Sequence, residues 1–270
     1  GIGGLSMIVL KTRRELELMR EAGRISAQAL KIAGEAVAPG VTTAEIDKIA
    51  YDYIKSQGAT PSFLNYGGFP ATACISINKE VIHGIPDHRH VIHEGDIVSI
   101  DAGLIYKGMH SDAARTYGVG QISPEAQKLI DVTRESFFKG IELAKDGNHL
   151  HQISAAIGDY AESFGYGVVR DLVGHGIGHA LHEDPQIPNF RQRNRGLRIV
   201  KGMTFAIEPM INAGRADVEW LDDDWAVVTE DGSLAAHYEN TILINDGAVL
   251  RLVSGCSKSK YHNGTTFYDY

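Results

Sequence analysis

Two carboxylates frame a turn in the stretch Ile100-Asp101-Ala102-Gly103-Leu104-Ile105-Tyr106-Lys107-Gly108-Met109-His110-Ser111-Asp112. Strand-like residues flank Tyr106-Lys107-Gly108, so the stretch is expected to fold as a hairpin with Asp101 and Asp112 roughly opposite each other. Side chains directly opposite across two antiparallel strands share a face, with β-carbons about 5 Å apart. Carboxylates that close repel unless one is protonated or a cation lies between them. The run before them, Ile97-Val98-Ser99-Ile100, is mostly apolar, and a buried carboxylate pair needs a metal or a proton as partner.

The rest of the chain offers the missing ligands. Glu208 in Ile207-Glu208-Pro209 and Glu239 in Tyr238-Glu239-Asn240-Thr241-Ile242 also interrupt strand-like runs. Each alone reads as a salt-bridged or rim-exposed acid; four converging on one cleft need a common cation. His175, His179 and His182 fall within Gly174-His175-Gly176-Ile177-Gly178-His179-Ala180-Leu181-His182. Its glycines disfavour a helix, and no Glu follows His175 as the helical zinc-protease pattern requires. A lone His is more often structural than a ligand; three in a Gly-rich turn favour a site, without all three being ligands. Four carboxylates and one neutral imidazole balance two divalent cations, and that set suits Mn, Fe, Co or Zn. Two metals about 3.5–4 Å apart can polarise a carbonyl and generate a nucleophile, which is hydrolysis chemistry.

The elements that position these residues follow from periodicity and punctuation. Apolar spacing and the Thr12 cap predict a helix over Thr12 to about Ala38, stopped by Pro39-Gly40. A second helix, capped by Thr42 or Thr43, runs to Gly58. Two more are expected over about Pro124–Ala144 and His149–Phe164. Strands are expected at Cys74–Ile77, Val81–Pro86, Asp96–Asp101, Val168–Leu172, Gly202–Ile211, Trp225–Thr229 and His237–Ile244. The halves repeat at a constant offset of 107 residues: Gly40 with Gly147, Ile46 with Ile153, Asp52-Tyr53 with Asp159-Tyr160, Gly58 with Gly165, Gly95 with Gly202, Ile100 with Ile207. That offset maps Asp101 onto Glu208 and predicts an α+β, pseudo-twofold arrangement of duplicated helix–strand halves, about 12–120 and 121–250. Asp112 maps onto Glu219, in an acidic loop, and so has no ligand partner at this offset.

The chain has 270 residues, 43% hydrophobic and 22% charged, enough to bury a sizeable core. A formal net charge of −8 argues against nucleic-acid recognition or an anionic membrane surface. No apolar run is long enough for a membrane span. Cys74 and Cys256 are the two cysteines, which fits a reducing, cytoplasmic setting. Residues 1–6, ahead of Met7, read as a cloning remnant.

Ile100-Asp101, Ser111-Asp112, Gly174-His175-Gly176-Ile177-Gly178, Ile207-Glu208-Pro209 and Glu239-Asn240-Thr241, in this order and spacing, resemble the type I methionine aminopeptidases. The resemblance runs from about Leu10 to Ser254 and implies the pita-bread fold of the creatinase/aminopeptidase group, as a single metalloaminopeptidase domain over 7–254. It implies two divalent cations per subunit. Asp101 would chelate one, Asp112 and Glu239 would bridge, and His175 and Glu208 would complete the second site. Glu208 is then the general base, His182 the contact to the scissile amide, and His83, in Ile82-His83-Gly84-Ile85-Pro86, a contact near the substrate backbone and leaving amine. A methionine pocket of Phe63, Tyr66, Phe69, Cys74, Leu181 and Trp225 is implied; a soft apolar cavity suits a thioether. Phe63, Phe69, Leu181 and His179 depart from residues that other members carry. The implied partner is a nascent polypeptide N-terminus whose second residue is small, met near the ribosome exit region by a monomer. The polar, Tyr-rich tail 255–270 matches no family element. Two competing readings are a prolidase-like, proline-specific exopeptidase on the same ligands and a non-catalytic binding protein of the same fold. The missing N-terminal domain and the Tyr66/Trp225 pocket count against the first, and retention of every ligand with His83 and His182 against the second.

Overall fold

The computed structural model describes residues 7–245, 248–251, 260–262 and 265–269. The remnant expected at residues 1–6, Cys256 and half of the tail 255–270 lie outside them. The first half runs α1 (Arg13–Glu35), α2 (Thr43–Ser56), β1 (Thr60–Pro61), β2 (Ala73–Ile77), β3 (Glu80–Ile82), β4 (Ile97–Tyr106) and β5 (Met109–Gly118). The second runs α3 (Pro124–Ile141), α4 (Leu150–Glu162), β6 (Gly167–Val168), β7 (Gly174–Gly176), β8 (Glu183–Ile187), β9 (Thr204–Ile207), β10 (Met210–Asn212), β11 (Val218–Trp220), β12 (Val227–Thr229), β13 (Ala235–His237) and β14 (Asn240–Asn245). Strands β15 (Ala248–Arg251), β16 (Lys260–His262) and β17 (Thr265–Asp269) extend the β14 edge, the last two within residues 255–270. Among the described residues, no helix is long and apolar enough to cross a membrane.

The duplication is visible in the backbone. Gly40 and Gly147 have φ of 90° and 92°, Gly58 and Gly165 of 73° and 81°, and Gly95 and Gly202 of 90° and 92°. A positive φ of this size costs a Cβ-bearing residue but not glycine, which is why glycine stands at both members of each pair. Glu45 reaches back to the Thr42 N–H (3.0 Å) and Gln152 to the His149 N–H (2.9 Å), so both second helices start in the same way. The Gly40 N–H donates to Ile92 O as the Gly147 N–H donates to Ile199 O, both at 2.9 Å. Strand pairing repeats too: β1 meets the end of β4 at Pro61↔Leu104, and β6 meets β10 at Val168↔Ile211.

The helices cover one side of each sheet. Along β4 the alternation of side chains sends Val98 and Ile100 into a core with Leu30, Ala33 and Ile46. Along β9, Phe205 and Ile207 enter a matching core with Phe137, Ile153 and Ile157. Ile46, Ile100, Ile153 and Ile207 are each fully buried. Burying such a side chain contributes roughly 1.5–3 kcal/mol, and it fixes the face on which the intervening Asp101 must emerge.

Several expected strands are shorter or differently registered. Val81–Pro86 ends at Ile82, because His83 turns to φ 62° and Gly84 lies against β2. A Cβ on Gly84 would sit 2.1 Å from Ile75 O. Val168–Leu172 shrinks to β6. Gly202–Ile211 splits into β9 and β10, since Pro209 has no N–H for the ladder.

The opening hairpin closes on a two-residue turn, Lys107 (φ 46°) and Gly108 (φ 87°), which pairs Tyr106 with Met109. Positive φ at both central residues is the type I′ pattern that favours glycine. That register sets Asp101 opposite Ala114 and Asp112 opposite Gly103. The two acids are therefore diagonal rather than directly opposite. A slip of two residues keeps them on one face.

In the second half the short turn is replaced by residues 213–234, which carry β11 and β12 and shift the offset from 107 to 125. Thr204 pairs Leu243 as Ile97 pairs Gly118. The structural mate of Asp112 is consequently His237, not the Glu219 given by the constant offset. The halves join where Ala114 bridges Glu239: each N–H donates to the other's carbonyl, at 3.1 and 3.0 Å. These two residues are mates of each other, so the pseudo-dyad passes between them. On either side, Thr116 Oγ1 accepts from the His237 N–H and donates to its carbonyl, both at 2.9 Å. Thr241 Oγ1 does the same for Asp112, at 3.0 and 2.8 Å.

Candidate metal centre

Asp101 from β4, Asp112 from β5, His175 from β7, Glu208 just after β9 and Glu239 between β13 and β14 converge on the seam between the halves, all of them buried. The His175 Nε2 lies 3.3 Å from Glu208 Oε2 and 3.8 Å from Asp112 Oδ2. Its Nδ1 is 2.8 Å from the Gly176 carbonyl, which can only accept, so Nδ1 carries a proton and Nε2 is turned to the carboxylates. Strand β7 can lie this close only because it is glycine-rich. A Cβ on Gly174 would be 2.5 Å from Ala206 O, and one on Gly176 2.2 Å from Asp184 O.

Two groupings bring potential ligand atoms within 4.8 Å of one another: Asp112, His175, Glu208 and Glu239, and Asp101, His237 and Glu239. Glu239, on the pseudo-dyad, is common to both. Asp101 Oδ1, Asp112 Oδ1, both Glu239 carboxylate oxygens and His237 Nε2 are buried without a hydrogen-bond partner among the described residues. Buried acceptors left without a donor are costly, and their convergence fits a cation. Oxygen donors with an imidazole suit a divalent first-row metal. His237 is a residue that sequence reasoning missed. In the extended run His237-Tyr238-Glu239, alternation alone places it on the face of Glu239.

The electrostatics agree with that fit. Burial first, and then the Asp112 charge, hold Asp101 and Glu239 well above the usual carboxylate range. Burial lifts Asp112 to about 6. Burial pulls His175 down, but the Glu208 carboxylate overrides it and raises the ring to about 9. Burial pushes Glu208 up, while the Glu239 carboxyl and the His175 ring beside it bring it to about 2.

These shifts give the cation-free chain a pH dependence. A raised group stabilises the fold below its unfolded pKa and loses that contribution as pH climbs through the folded value. His175 loses its share between about 6.5 and about 9, and Asp101 and Glu239 lose theirs in the same direction. Glu208 is ionised throughout and adds no slope there. Chelator-treated protein is therefore expected to melt at a lower temperature at about pH 9 than at about pH 7, with cation-loaded protein changing less. A melting temperature that rises over this interval contradicts the charge arrangement.

Beside the carboxylates lies a cavity of about 180 Å³. Phe63, Tyr66, Phe69, Cys74, Leu181 and Trp225, all six expected pocket residues, line it together with His83 and His182. Ile82, which the resemblance did not supply, lines it as well. Trp225 arrives on the 213–234 excursion, held where β12 pairs β3 at Val227↔Ile82; its ring meets Phe69 edge-on at 5.2 Å between centroids. The turn at Gly84 projects the His83 ring to 6.5 Å from Trp225, and burial lowers its pKa. His182 packs against His175 with centroids 4.3 Å apart, and its Nδ1 is 3.0 Å from the Tyr66 hydroxyl. Burial first, then the neighbouring His175, lower it to about 4. The third histidine of that segment leaves the site. His179 pairs with Glu15 of α1, and Glu183 accepts from its N–H at 2.7 Å while receiving Lys11 Nζ at 2.7 Å.

Residues 17–246 match metallopeptidase family M24, and with this site the chain is a metal-dependent hydrolase. A methionine aminopeptidase from Clostridium acetobutylicum is 57% identical over 89% of this chain and 96% of its own length. The crystal structure of a methionine aminopeptidase from Thermotoga maritima superimposes with a TM-score of 0.90 at 43% identity, covering 92% of this chain and 100% of that one. The chain belongs to family M24, in the branch that holds these bacterial methionine aminopeptidases. A prolidase from Pyrococcus furiosus, 24% identical with a TM-score of 0.74 over 65% of its length, is a likeness of fold.

Proposed function

We propose that the chain removes the initiator methionine from nascent polypeptides whose second residue is small, using two divalent cations. The domain that does so is residues 7–254. The carrying observation is the juxtaposition of a buried, donor-starved carboxylate cluster with an apolar cavity of methionine size. Asp101, Asp112, His175, Glu208 and Glu239 hold the cations. When bound, the cations polarise the scissile carbonyl and acidify the attacking water.

The protein supplies the rest. Phe63, Phe69, Leu181 and Trp225 take up the thioether side chain, and Cys74 and Tyr66 close the cavity around it. Glu208 takes a proton from the attacking water and later yields it to the leaving amine. His182 is neutral, and a Tyr66 hydroxyl that donates to Nδ1 leaves its Nε2–H to donate to the scissile amide. His83, also held neutral by burial, faces the departing peptide. We assign the protein to the cytoplasm, acting as a monomer near the ribosome exit.

Protein reconstituted with Mn, Fe, Co or Zn and given Met-Ala-Ser and an X-Pro peptide tests this reading. Release of methionine from the first, and none from the second, is expected. Cleavage of X-Pro alone would make the chain a proline-specific exopeptidase, and no release from either would make it a binding protein.

A further inference from the structure

The pseudo-dyad that relates the halves also relates the two groupings of ligand atoms. It carries Glu208 onto Asp101 and Asp112 onto His237, and it passes beside Glu239. Asp112 and Glu208 thus become His237 and Asp101, which with Glu239, beside the axis, make up the second grouping. The remaining member of the first set, His175, has Ser76 of β2 as its mate, since each pairs the corresponding strand, at Ala206 and Ser99. Ser76 Oγ is engaged by the Gly84 N–H at 3.1 Å. On the Asp101 side, His237 is therefore the one nitrogen donor that the duplication leaves available.

We propose that His237 is a direct ligand, through Nε2, of the cation held by Asp101 and Glu239, so that each of the two cation sites carries one imidazole. The ring is 1% exposed. Its Nε2 has no hydrogen-bond partner among the described residues and lies 3.9 Å from Glu239 Oε1. That is too far for a hydrogen bond. It suits two atoms bound to one ion at about 2.0–2.2 Å each with a wide angle between them. Thr116 holds the His237 backbone at both its N–H and its carbonyl, as Thr241 holds Asp112, so the ring enters the site from a fixed position. A second neutral imidazole leaves the charge balance of four carboxylates and two divalent cations unchanged.

The inference rests on the two-cation reading, and the test separates the two. Wild-type protein is loaded with Co(II), its stoichiometry is measured by equilibrium dialysis, and its imidazole coordination is counted by X-ray absorption. Two cobalts with about one imidazole each are expected. Two cobalts with one imidazole between them overturn the role of His237 while leaving the two-cation site standing; a single cobalt with a single imidazole overturns both. His237→Leu is expected to weaken one of the two cobalt sites by at least about tenfold and to leave the other within twofold. Affinities unchanged at both sites, in a variant whose circular dichroism matches wild type, overturn the proposal.

Discussion

Glu208→Gln lowers kcat for methionine release by about 10²–10⁴-fold, the size of a lost general base, while both cations stay bound. The geometry separates these effects. Glu208 sits at 3.3 Å from His175 Nε2 and in the same grouping as Asp112 and Glu239. A Gln in its place keeps an oxygen for the cation and a planar group for the same space, but cannot take a proton from water. The Glu208 carbonyl, which receives Asn189 Nδ2 at 3.2 Å, belongs to the backbone, so that contact survives the change. Steady-state kinetics with elemental analysis of the same sample checks the prediction. A kcat within tenfold of wild type, with two cations present, removes Glu208 from the role of base.

Glu239→Ala has the other large effect, and it falls on both cations at once. Glu239 is the residue whose mate, Ala114, carries no ligand, so the pseudo-dyad gives the centre one shared carboxylate rather than two separate ones. Both Glu239 oxygens are orphaned and buried, so its removal leaves each cation short of a donor. The expected result is a loss of at least about tenfold in affinity at both sites and no detectable turnover. Asp101→Asn, in contrast, is expected to weaken one site only. Isothermal titration resolves the two cases; a loss confined to a single site in the Glu239→Ala variant contradicts the shared role. Glu239→Ala also removes a buried carboxyl that its acidic neighbours make costly to ionise, so the cation-free variant is expected to lose less melting temperature between about pH 7 and about pH 9 than cation-free wild type. The direction follows from the raised pKa of the Glu239 carboxyl.

Much of this was legible in the chain because it is written in residue types that have few other uses. The paired glycines at positions 40 and 147, 58 and 165, and 95 and 202 announce a duplication, and their matched φ values explain why glycine was kept. The four carboxylates proposed as ligands stand out because they interrupt or flank strand-like runs, and His175 because it stands among glycines. Register was harder. The turn at Lys107-Gly108 admits several pairings on sequence grounds, and the two-residue closure that sets Asp101 diagonal to Asp112 depends on positive φ at both residues. His237 was hidden for a different reason. The excursion 213–234 changes the offset between the halves, so a constant shift compares Asp112 with Glu219 instead of its mate. The same excursion brings Trp225 to the cavity through the pairing of β12 with β3, a contact between segments remote in sequence that no local pattern encodes. His179 shows the converse: its glycine-rich neighbourhood suggested a site, yet its ring is taken by Glu15.

The central claim is that two like halves assemble one centre for two cations, with Glu239 between them. A crystal of the cobalt-loaded protein, with anomalous differences recorded at the cobalt edge, tests it most directly. Two peaks are expected, about 3.5–4 Å apart, one among Asp112, His175, Glu208 and Glu239 and the other beside Asp101, His237 and Glu239. A single peak at full cobalt loading, or two peaks with Glu239 in contact with only one of them, would contradict it.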